Sequence, residues 1–217
     1  LIAVAKGPGL IGALLIGLQF AKGLSIAWKR PLIGVNHVEA HLYAAMMGGE
    51  PPFPSLGVVA SGGHTFTVQI RGLGDYELIG TTVDDAIGEA LDKGATLLGL
   101  PYPGGTEIER LARGARRGAF PFKGGRVREA PLHFSFSGLK TSLLYAVQKL
   151  PSPLSDEVKG DLAASFQEAA LGDLVQKSWL ASQTFPCRAV VVGGGVSANG
   201  RLKELLEEAF GELPLYL

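Results

Sequence analysis

This 217-residue sequence predicts an α/β protein in which helices cover a parallel sheet. One observation predicts this class, and a second predicts the division into lobes. Strand-like runs alternate with helical patterns in the order strand, helix, strand, helix, and parallel strands need such helical crossovers. The segment 48–54 is rich in glycine and proline. It separates a region of alternating strand and helix patterns from a region of short strands and glycine turns, which indicates two lobes. We assign residues 1–50 to the first lobe and 51–217 to the second, whose helical C-terminal part can pack back on the first.

The composition describes a compact globular protein and excludes a disordered one. Hydrophobic residues make up 47% of the chain, and its 31 glycines indicate many loops. The 20 basic and 20 acidic residues cancel, so any contact with nucleic acid must come from a local patch. The single cysteine, Cys187, excludes a disulfide framework and favours a reducing compartment. Because a strand pattern flanks it, we expect a small buried side chain.

The first lobe is predicted to contain two strand–helix units. Its elements are a strand over Leu1–Ala5, a helix from Leu10 to about Lys22 that stops at Gly23, a strand over Pro31–Val35 and a helix to about Met47. The apolar run Leu10–Ala21 covers about twelve residues, too few for a membrane span, so we expect a buried helix. We also expect no signal peptide, because no small-residue cleavage site follows a proper apolar core.

The second lobe is predicted to open with a series of hairpins and to continue with helices. Strand-like runs joined by tight glycine turns cover Ser55–Ala60, Thr65–Ile70 and Tyr76–Thr81. The predicted helices cover Ala86–Leu98, opened by Asp84 and Asp85, then Thr106–Arg113, Ser135–Leu150, Asp156–Ser182 and Arg201–Phe210. A buried strand is predicted over Arg188–Val192, and Leu213–Leu217 indicates another strand just begun.

Two histidines form a candidate metal site. The stretch Val35–Tyr43 carries His37 and His41 at positions i and i+4 of a predicted helix capped by Asn36, so both imidazoles project from one face. Two nitrogen ligands near one point are half of a transition-metal site. Glu39 lies roughly 200° around the helix from His37, so the glutamate placement of a metalloprotease helix is missing. Two ordinary histidines at a helix start are the alternative interpretation.

Two glycine turns that follow predicted strands are candidate anion sites. In Ser61-Gly62-Gly63-His64-Thr65 the missing side chains let backbone N–H groups approach a ligand. In Gly193-Gly194-Gly195 a strand passes into a helix N-terminus, which favours phosphate. The second turn also fits the dinucleotide pattern G-x-G-x-x-A through Ala198, and tight structural hairpins use the same residues. Two separate turns fit better with a nucleotide clamped between lobes than with one dinucleotide crevice.

Two further features leave alternatives open. Asp92, in the middle of a predicted helix, is either a solvated acid or, if it faces the cleft, an acceptor for ligand hydroxyls. From Arg110 to Arg128 the chain carries basic residues and no acid, interleaved with Phe120 and Phe122. This run is either a solvated loop or a contact for a phosphate backbone. Its candidates are Arg110, Arg113, Arg116, Arg117, Lys123, Arg126 and Arg128.

Six motifs that occur together and in order carry a family resemblance. They are Val35-N-H-V-E-A-H41, Ser61-G-G-H-T65, Asp84-D-A-I-G-E-A-L-D-K93, Pro103-G-G105, Phe134-S-F-S-G-L-K-T141 and Gly193-G-G-V-S-A-N199. Over essentially the whole chain they resemble the universal tRNA adenosine threonylcarbamoyltransferase family. The resemblance implies a partial, two-lobed actin/Hsp70/sugar-kinase (ASKHA) fold. It implies transfer of a threonylcarbamoyl group from threonylcarbamoyl-adenylate to the exocyclic amine of the adenosine beside the anticodon in tRNAs reading ANN codons.

The resemblance also implies roles for individual residues. His37 and His41 would bind one divalent metal ion, iron or zinc. The donor adenylate would be held by Val59, Ala60, Ser61, Gly62, Gly63, Asp92, Gly105 and Asn199, with Glu109 near its ribose. The basic run would contact tRNA, while no catalytic residue is assigned. Val59 stands where some archaeal and eukaryotic relatives have a tyrosine ligand, so the chain resembles the bacterial type.

Partners and setting follow from the same resemblance. In the bacterial type the enzyme is cytoplasmic, needs no membrane, and works with an ASKHA-fold paralogue subunit and a small ATPase. Because the chain begins at Leu1 in mid-strand and stops at Leu217, we expect an inactive fragment that lacks the family's first phosphate turn and its third metal ligand. A non-catalytic scaffold of the same fold is the alternative, although such paralogues generally lack the paired histidines. A small-molecule kinase would need a sugar-specific insertion and a catalytic base, and neither is found.

Overall fold

The computed structural model of the chain describes residues 1–217 and contains seven strands and seven helices. In chain order they are β1 (Ile2–Gly7), α1 (Ile11–Trp28), β2 (Leu32–Asn36), α2 (His37–Ala45), β3 (Ser55–Ala60), β4 (Thr65–Gly72), β5 (Asp75–Thr81), α3 (Ile87–Leu97), α4 (Gly104–Ala112), α5 (Ser137–Gln148), α6 (Asp156–Thr184), β6 (Val190–Gly193), α7 (Gly200–Phe210) and β7 (Leu215–Tyr216). Short 3₁₀ turns cover Met46–Gly48 and Gly195–Ala198. The predicted α/β class is confirmed.

Two sheets form the frame of the molecule. β1 and β2 pair in parallel as a two-stranded sheet, and the larger sheet has the strand order β5-β4-β3-β6-β7. The series β3–β4–β5 is antiparallel, as predicted, whereas β6 pairs in parallel with both β3 and β7. The larger sheet is therefore mixed, because tight turns join antiparallel neighbours while the parallel strands are connected through helices.

Helices cover both faces of the larger sheet, so its central strands are buried on both sides. Along β3, Leu56, Val58 and Ala60 contribute to a large core that helices α3–α7 complete. Val59 points to the opposite face, where it packs with Leu42 of α2. This alternation seats α2, which begins with His37, directly on the sheet whose strand β3 leads into the first glycine turn.

Helix α1 differs from its prediction in both length and burial. It does not stop at Gly23 but extends to Trp28, and Lys29 ends it in the left-handed region (φ 49°). Only Ala21 is buried, and Phe20 is 70% exposed. The expectation of a buried helix is wrong, since a two-stranded sheet is too narrow to cover an 18-residue helix. By length and composition α1 is long and apolar enough to cross a membrane, so the expectation that its apolar run is too short for a membrane span is wrong. A single helix of this kind is weak evidence for a membrane span, because the core helix of a soluble protein meets the same criterion.

Asp84 does not open α3, contrary to the prediction. α3 begins without a side-chain cap, whereas Asp84 Oδ1 accepts hydrogen bonds from the backbone N–H groups of Phe136 (2.8 Å) and Ser137 (3.3 Å) at the start of α5. The carboxylate therefore caps a helix that lies 52 residues further along the chain, which no local pattern reveals. The neighbouring Asp85 pairs with Lys93 at 2.8 Å.

Candidate functional site

Two histidines lie side by side at the start of α2, as predicted. Asn36 caps the helix, because its Oδ1 accepts hydrogen bonds from the N–H groups of Val38 (2.8 Å) and Glu39 (3.3 Å). The cap fixes the first turn of the helix. The ring centroids of His37 and His41 lie 4.6 Å apart. The shared helix face is therefore confirmed.

A third imidazole, His64, lies beside this pair and was missed as a candidate site residue. It ends the turn 61–64, in which the Ser61 N–H donates to the His64 carbonyl (2.9 Å) and Ser61 Oγ accepts from the His64 N–H (3.0 Å). The closed turn holds the His64 ring 6.4 Å from that of His37, centroid to centroid. A histidine in a glycine turn was the only sequence signal, and its position across the fold comes from the structure.

The surroundings of these rings disfavour positive charge. Burial first, and then the neighbouring imidazole of His37, lower the pKa of both His41 and His64. Both rings are therefore neutral at neutral pH, which is the form that offers a nitrogen lone pair to a metal. Nε2 of His41 is also buried and has no hydrogen-bond partner within the protein.

The residues present fit part of a metal site. A neutral imidazole with an unpartnered nitrogen suits iron or zinc, and His37 and His41 can approach one ion from the same helix face. No group of three or more histidine, cysteine, aspartate or glutamate side chains is arranged to hold a metal ion. Since protein metal sites usually take three or four protein ligands, a complete site needs at least one further ligand.

A cavity of about 350 Å³ lies between α3, α4 and the 3₁₀ turn that follows β6. Five residues predicted to bind the donor line it, namely Gly62, Asp92, Gly105, Glu109 and Asn199. They come from four separate segments of the chain, and the fold brings them together. Lining residues that sequence reasoning missed include Gly88, Tyr102 and Thr106, whereas Gly195 belongs to the second predicted glycine turn.

The other predicted donor-binding residues lie outside this cavity. Val59 and Ala60 are fully buried in β3, so their side chains support the sheet and do not reach a ligand. Ser61 and Gly63 line a neighbouring cavity. That this stretch holds the donor stays a prediction, in which Val59 and Ala60 would contribute backbone atoms only.

Asp92 and Glu109 tie the cavity walls together. Asp92 Oδ1 accepts a hydrogen bond from the Gly105 N–H (3.1 Å), which joins α3 to the start of α4. Glu109 Oε1 accepts from the Gly200 N–H (3.1 Å) at the start of α7. Both carboxylates thus have structural partners, and the interpretation of Asp92 as a purely solvated acid is wrong.

Asn199 closes the opposite wall of the cavity. The second glycine turn was predicted to enter a helix directly. Instead the chain first forms the 3₁₀ turn Gly195–Ala198, and Asn199 then caps α7. Its Oδ1 accepts from the Leu202 N–H (3.1 Å), and its Nδ2 donates to Gln167 Oε1 (3.0 Å). Because a side-chain amide has two donors and two acceptor sites, one of each remains for a ligand.

A second cavity of about 580 Å³ adjoins the first and contains the three histidines. Gly62 and Gly195 line both cavities, so a ligand can extend from one into the other. Close backbone contacts require glycine here: a Cβ on Gly193 would lie 2.1 Å from the His41 carbonyl oxygen, and one on Gly194 would lie 2.3 Å from that of Ala60. The second glycine turn is thus packed directly against the histidine helix.

The basic run divides into a paired and an unpaired part. Its first four members all reach acids, since Arg110 pairs with Glu107, Arg113 with Glu109, Arg116 with Glu157 and Asp161, and Arg117 with Glu204. Lys123, Arg126 and Arg128 form no ion pair and are exposed. Phe120 and Phe122 pack against the main core and are not free to stack on bases. That this run contacts tRNA stays a prediction.

Comparison with known sequences gives a family match over the whole chain. The profile of the family described as TsaD, tRNA N6-adenosine threonylcarbamoyltransferase, matches residues 1–217. The protein of that name from Protochlamydia amoebophila is 57% identical, over 98% of this chain and 64% of its own length. Those from Anaeromyxobacter dehalogenans and Chlamydia trachomatis are 53% and 50% identical, over 93% and 100% of this chain and 60% and 65% of theirs. The chain thus spans less than two thirds of these relatives.

Solved structures establish the fold. HypF from T. kodakarensis matches with a TM-score of 0.72 at 14% identity, over 99% of this chain and 37% of HypF. Full-length HypF in its phosphate- and nucleotide-bound form gives 0.70 at 16% identity, over 99% and 42%. Component A of the (R)-2-hydroxyglutaryl-CoA dehydratase of Acidaminococcus fermentans gives 0.53 at 15% identity, over 98% and 79%. The predicted ASKHA-like fold class is confirmed, while the lobe boundary at residue 50 stays a prediction.

Proposed function

Because the chain belongs to the tRNA N6-adenosine threonylcarbamoyltransferase family, we propose that the whole protein transfers a threonylcarbamoyl group to tRNA. The donor is threonylcarbamoyl-adenylate, and the acceptor is the exocyclic N6 amine of the adenosine beside the anticodon in tRNAs reading ANN codons. The chain spans less than two thirds of its curated relatives, so the proposal concerns the full-length protein.

The observation that carries this proposal is the junction of two cavities at Gly62 and Gly195. An adenylate ester has a nucleoside part and an acyl-phosphate part. The smaller cavity, with Asp92 and Asn199 on its walls, suits the nucleoside because both side chains can hydrogen-bond to hydroxyl or ring nitrogen groups. The acyl-phosphate then lies at the glycine junction, where backbone N–H groups can approach its oxygens, and reaches toward the histidines.

Each part of the chain has a task in this scheme. The glycine turns admit the phosphate, and Asp92 and Asn199 orient the nucleoside through hydrogen bonds. His37 and His41 would hold one divalent ion, iron or zinc, through their imidazole nitrogens. When bound, such an ion supplies positive charge that holds the carbamate and phosphate oxygens and stabilises negative charge on them.

The proposed reaction needs little general acid–base catalysis. The donor is a mixed carbamic–phosphoric anhydride, so its leaving group is already good. The N6 amine attacks the carbamoyl carbon, the bond from that carbon to the phosphate oxygen breaks, AMP leaves with the electron pair, and the amine loses a proton. Holding the donor and the tRNA amine at short distance supplies most of the remaining rate enhancement. No side chain of this chain is assigned as a catalytic acid or base.

Partners and location follow from the family alone. We propose that the protein works in the cytoplasm with an ASKHA-fold paralogue subunit and a small ATPase, as in the bacterial type of the family. Co-purification of the full-length protein with these two subunits would test it, and a stable, active protein without either would contradict it.

The paired histidines provide the test of the site. In the full-length protein with its partners, His37→Ala with His41→Ala should abolish labelling of tRNA from a donor labelled in its threonine part, while the unfolding temperature shows that the variant is folded. Bound metal, measured by elemental analysis, should fall in parallel. Unchanged tRNA labelling would favour the alternative, a non-catalytic scaffold of the same fold.

A further inference from the structure

A groove on the surface of α6 lies apart from both cavities and contains none of the residues assigned to the donor or the metal ion. Its volume is about 710 Å³, the largest of the cavities described here. One wall is the loop that carries Lys123, Arg126 and Arg128, and the other is the stretch of α6 around Gln176 and Lys177. Resting on the function proposed for the active site, we propose that this groove binds the phosphate backbone of the tRNA substrate.

The charge of the groove favours a polyanion. Lys123, Arg126 and Arg128 are exposed and form no ion pair, in contrast to the first four arginines of the same basic run. The only acid that lines the groove is Asp173, and it is paired with Lys177 at 2.9 Å. The groove therefore presents three uncompensated positive charges in a chain whose overall net charge is zero. Nucleic-acid affinity depends on such cations, because each phosphate contact releases bound counterions.

The loop is held in place, so its cations are fixed relative to the body of the protein. The Nζ of Lys177 donates hydrogen bonds to the Gly125 carbonyl (2.8 Å) and to Asp173 Oδ2 (2.9 Å). A Cβ on Gly124 would lie 2.3 Å from the Asp173 carboxylate, and a Cβ on Gly125 would lie 2.3 Å from the Ser135 carbonyl oxygen. Only glycines allow the loop to approach α6 at Asp173 and the segment before α5 at Ser135 this closely. Binding then costs less loop-ordering entropy than it would in a free segment.

The position of the groove suits a substrate much larger than one nucleotide. Oε1 of Gln167 in α6 accepts a hydrogen bond from Nδ2 of Asn199 (3.0 Å), which lines the cavity of about 350 Å³. Gln176 lies nine positions further along the same helix, a rise of about 14 Å. An RNA strand carries a charge every few Å, so a tRNA with one adenosine at the donor cavity also covers a surface at this distance.

The test compares three charge variants of the full-length protein in complex with its partners. The groove variant is Lys123→Gln, Arg126→Gln and Arg128→Gln, and the matched control removes the same charge elsewhere through Lys149→Gln, Lys159→Gln and Lys203→Gln. A charge-retaining variant, Lys123→Arg, Arg126→Lys and Arg128→Lys, checks that the loop still folds. Binding of unmodified tRNA is measured at several salt concentrations, together with the KM for tRNA and kcat of transfer.

We expect the groove variant to lose at least about tenfold in tRNA affinity and to reduce the slope of log affinity against log salt by about three. The KM for tRNA should rise, while kcat at saturating tRNA and the affinity for AMP stay unchanged. The control and charge-retaining variants should behave like the wild type. A groove variant with wild-type affinity and slope, or an equal loss in the control, would overturn the proposal. If the wild-type complex itself binds no tRNA, the proposed function fails instead.

Discussion

Replacing Gly193 by alanine should disturb the histidine helix without touching a histidine. The new Cβ would lie 2.1 Å from the His41 carbonyl oxygen and 2.5 Å from its carbon. An acceptable contact needs at least 3.0 Å, so the end of β6 and α2 must separate by about 0.9 Å (3.0 minus 2.1). Overpacking of this size costs about 1–3 kcal/mol. For a protein of more than 150 residues this lowers the unfolding temperature by a few to about ten degrees.

The same displacement should weaken metal binding. Metal–ligand distances tolerate changes of only about 0.2 Å, and the shift of His41 relative to the glycine junction exceeds this several-fold. We expect at least a tenfold loss in affinity for the divalent ion, measured by calorimetric titration of the metal-free full-length protein. Gly138→Ala in α5 is the control, because its added Cβ meets no atom within 4 Å and should not lower stability. Unchanged unfolding temperature and metal affinity in the Gly193→Ala variant would refute this reasoning.

Three further predictions concern the carboxylates. Asp84→Ala removes the cap of α5 and should lower the free energy of unfolding by about 1–2 kcal/mol in urea titrations, whereas an unchanged midpoint would contradict the cap. Hydrogen bonds from Arg116 hold the pKa of Asp161 in the folded protein below its usual range. The ionised carboxylate therefore stabilises the folded state at any pH above the unfolded pKa of about 3.9, and this stabilisation is lost as the pH falls through the lower folded pKa. The stability advantage over Asp161→Asn should therefore shrink between pH 7 and pH 2, and a constant difference would exclude this origin. Asp92→Ala removes the acceptor of the Gly105 N–H and should weaken AMP binding by about tenfold or more in calorimetry, and an unchanged affinity would place the nucleotide elsewhere.

Local patterns predicted the elements well where the cause of the structure is local. The Asn36 cap, the i, i+4 histidines and the glycine-linked hairpins depend on neighbouring residues, and all three are present. Local patterns gave wrong predictions where the hydrogen-bond partner of a residue lies far along the chain. Asp84 has the local signal of a helix cap, yet it caps α5 instead of α3. The length of α1 was misjudged at Gly23, because a glycine in a helix lowers stability by only about 1 kcal/mol and does not by itself end the helix.

The grouping of Asp92, Glu109 and Asn199 into one donor site was predicted by family resemblance and not by spacing. Nothing in the sequence alone indicates that Asp92, Glu109 and Asn199 surround one cavity, since they lie on three different helix termini or faces. His64 was missed because its distance to His37 depends on how α2 packs on the larger sheet. The division of the basic run was equally hidden. Its acidic partners include Asp161 and Glu204, which lie far along the chain.

The most direct test of the proposed activity uses the acceptor base itself. The full-length protein with its partners is incubated with threonylcarbamoyl-adenylate labelled in its threonine part, and with tRNA that carries either adenosine or inosine beside the anticodon. Inosine has an oxygen where adenosine has the N6 amine, so it cannot accept the group. Label on the adenosine tRNA and none on the inosine tRNA is the expected result. No label on either tRNA with a folded complex, or equal label on both, would contradict transfer to the N6 amine.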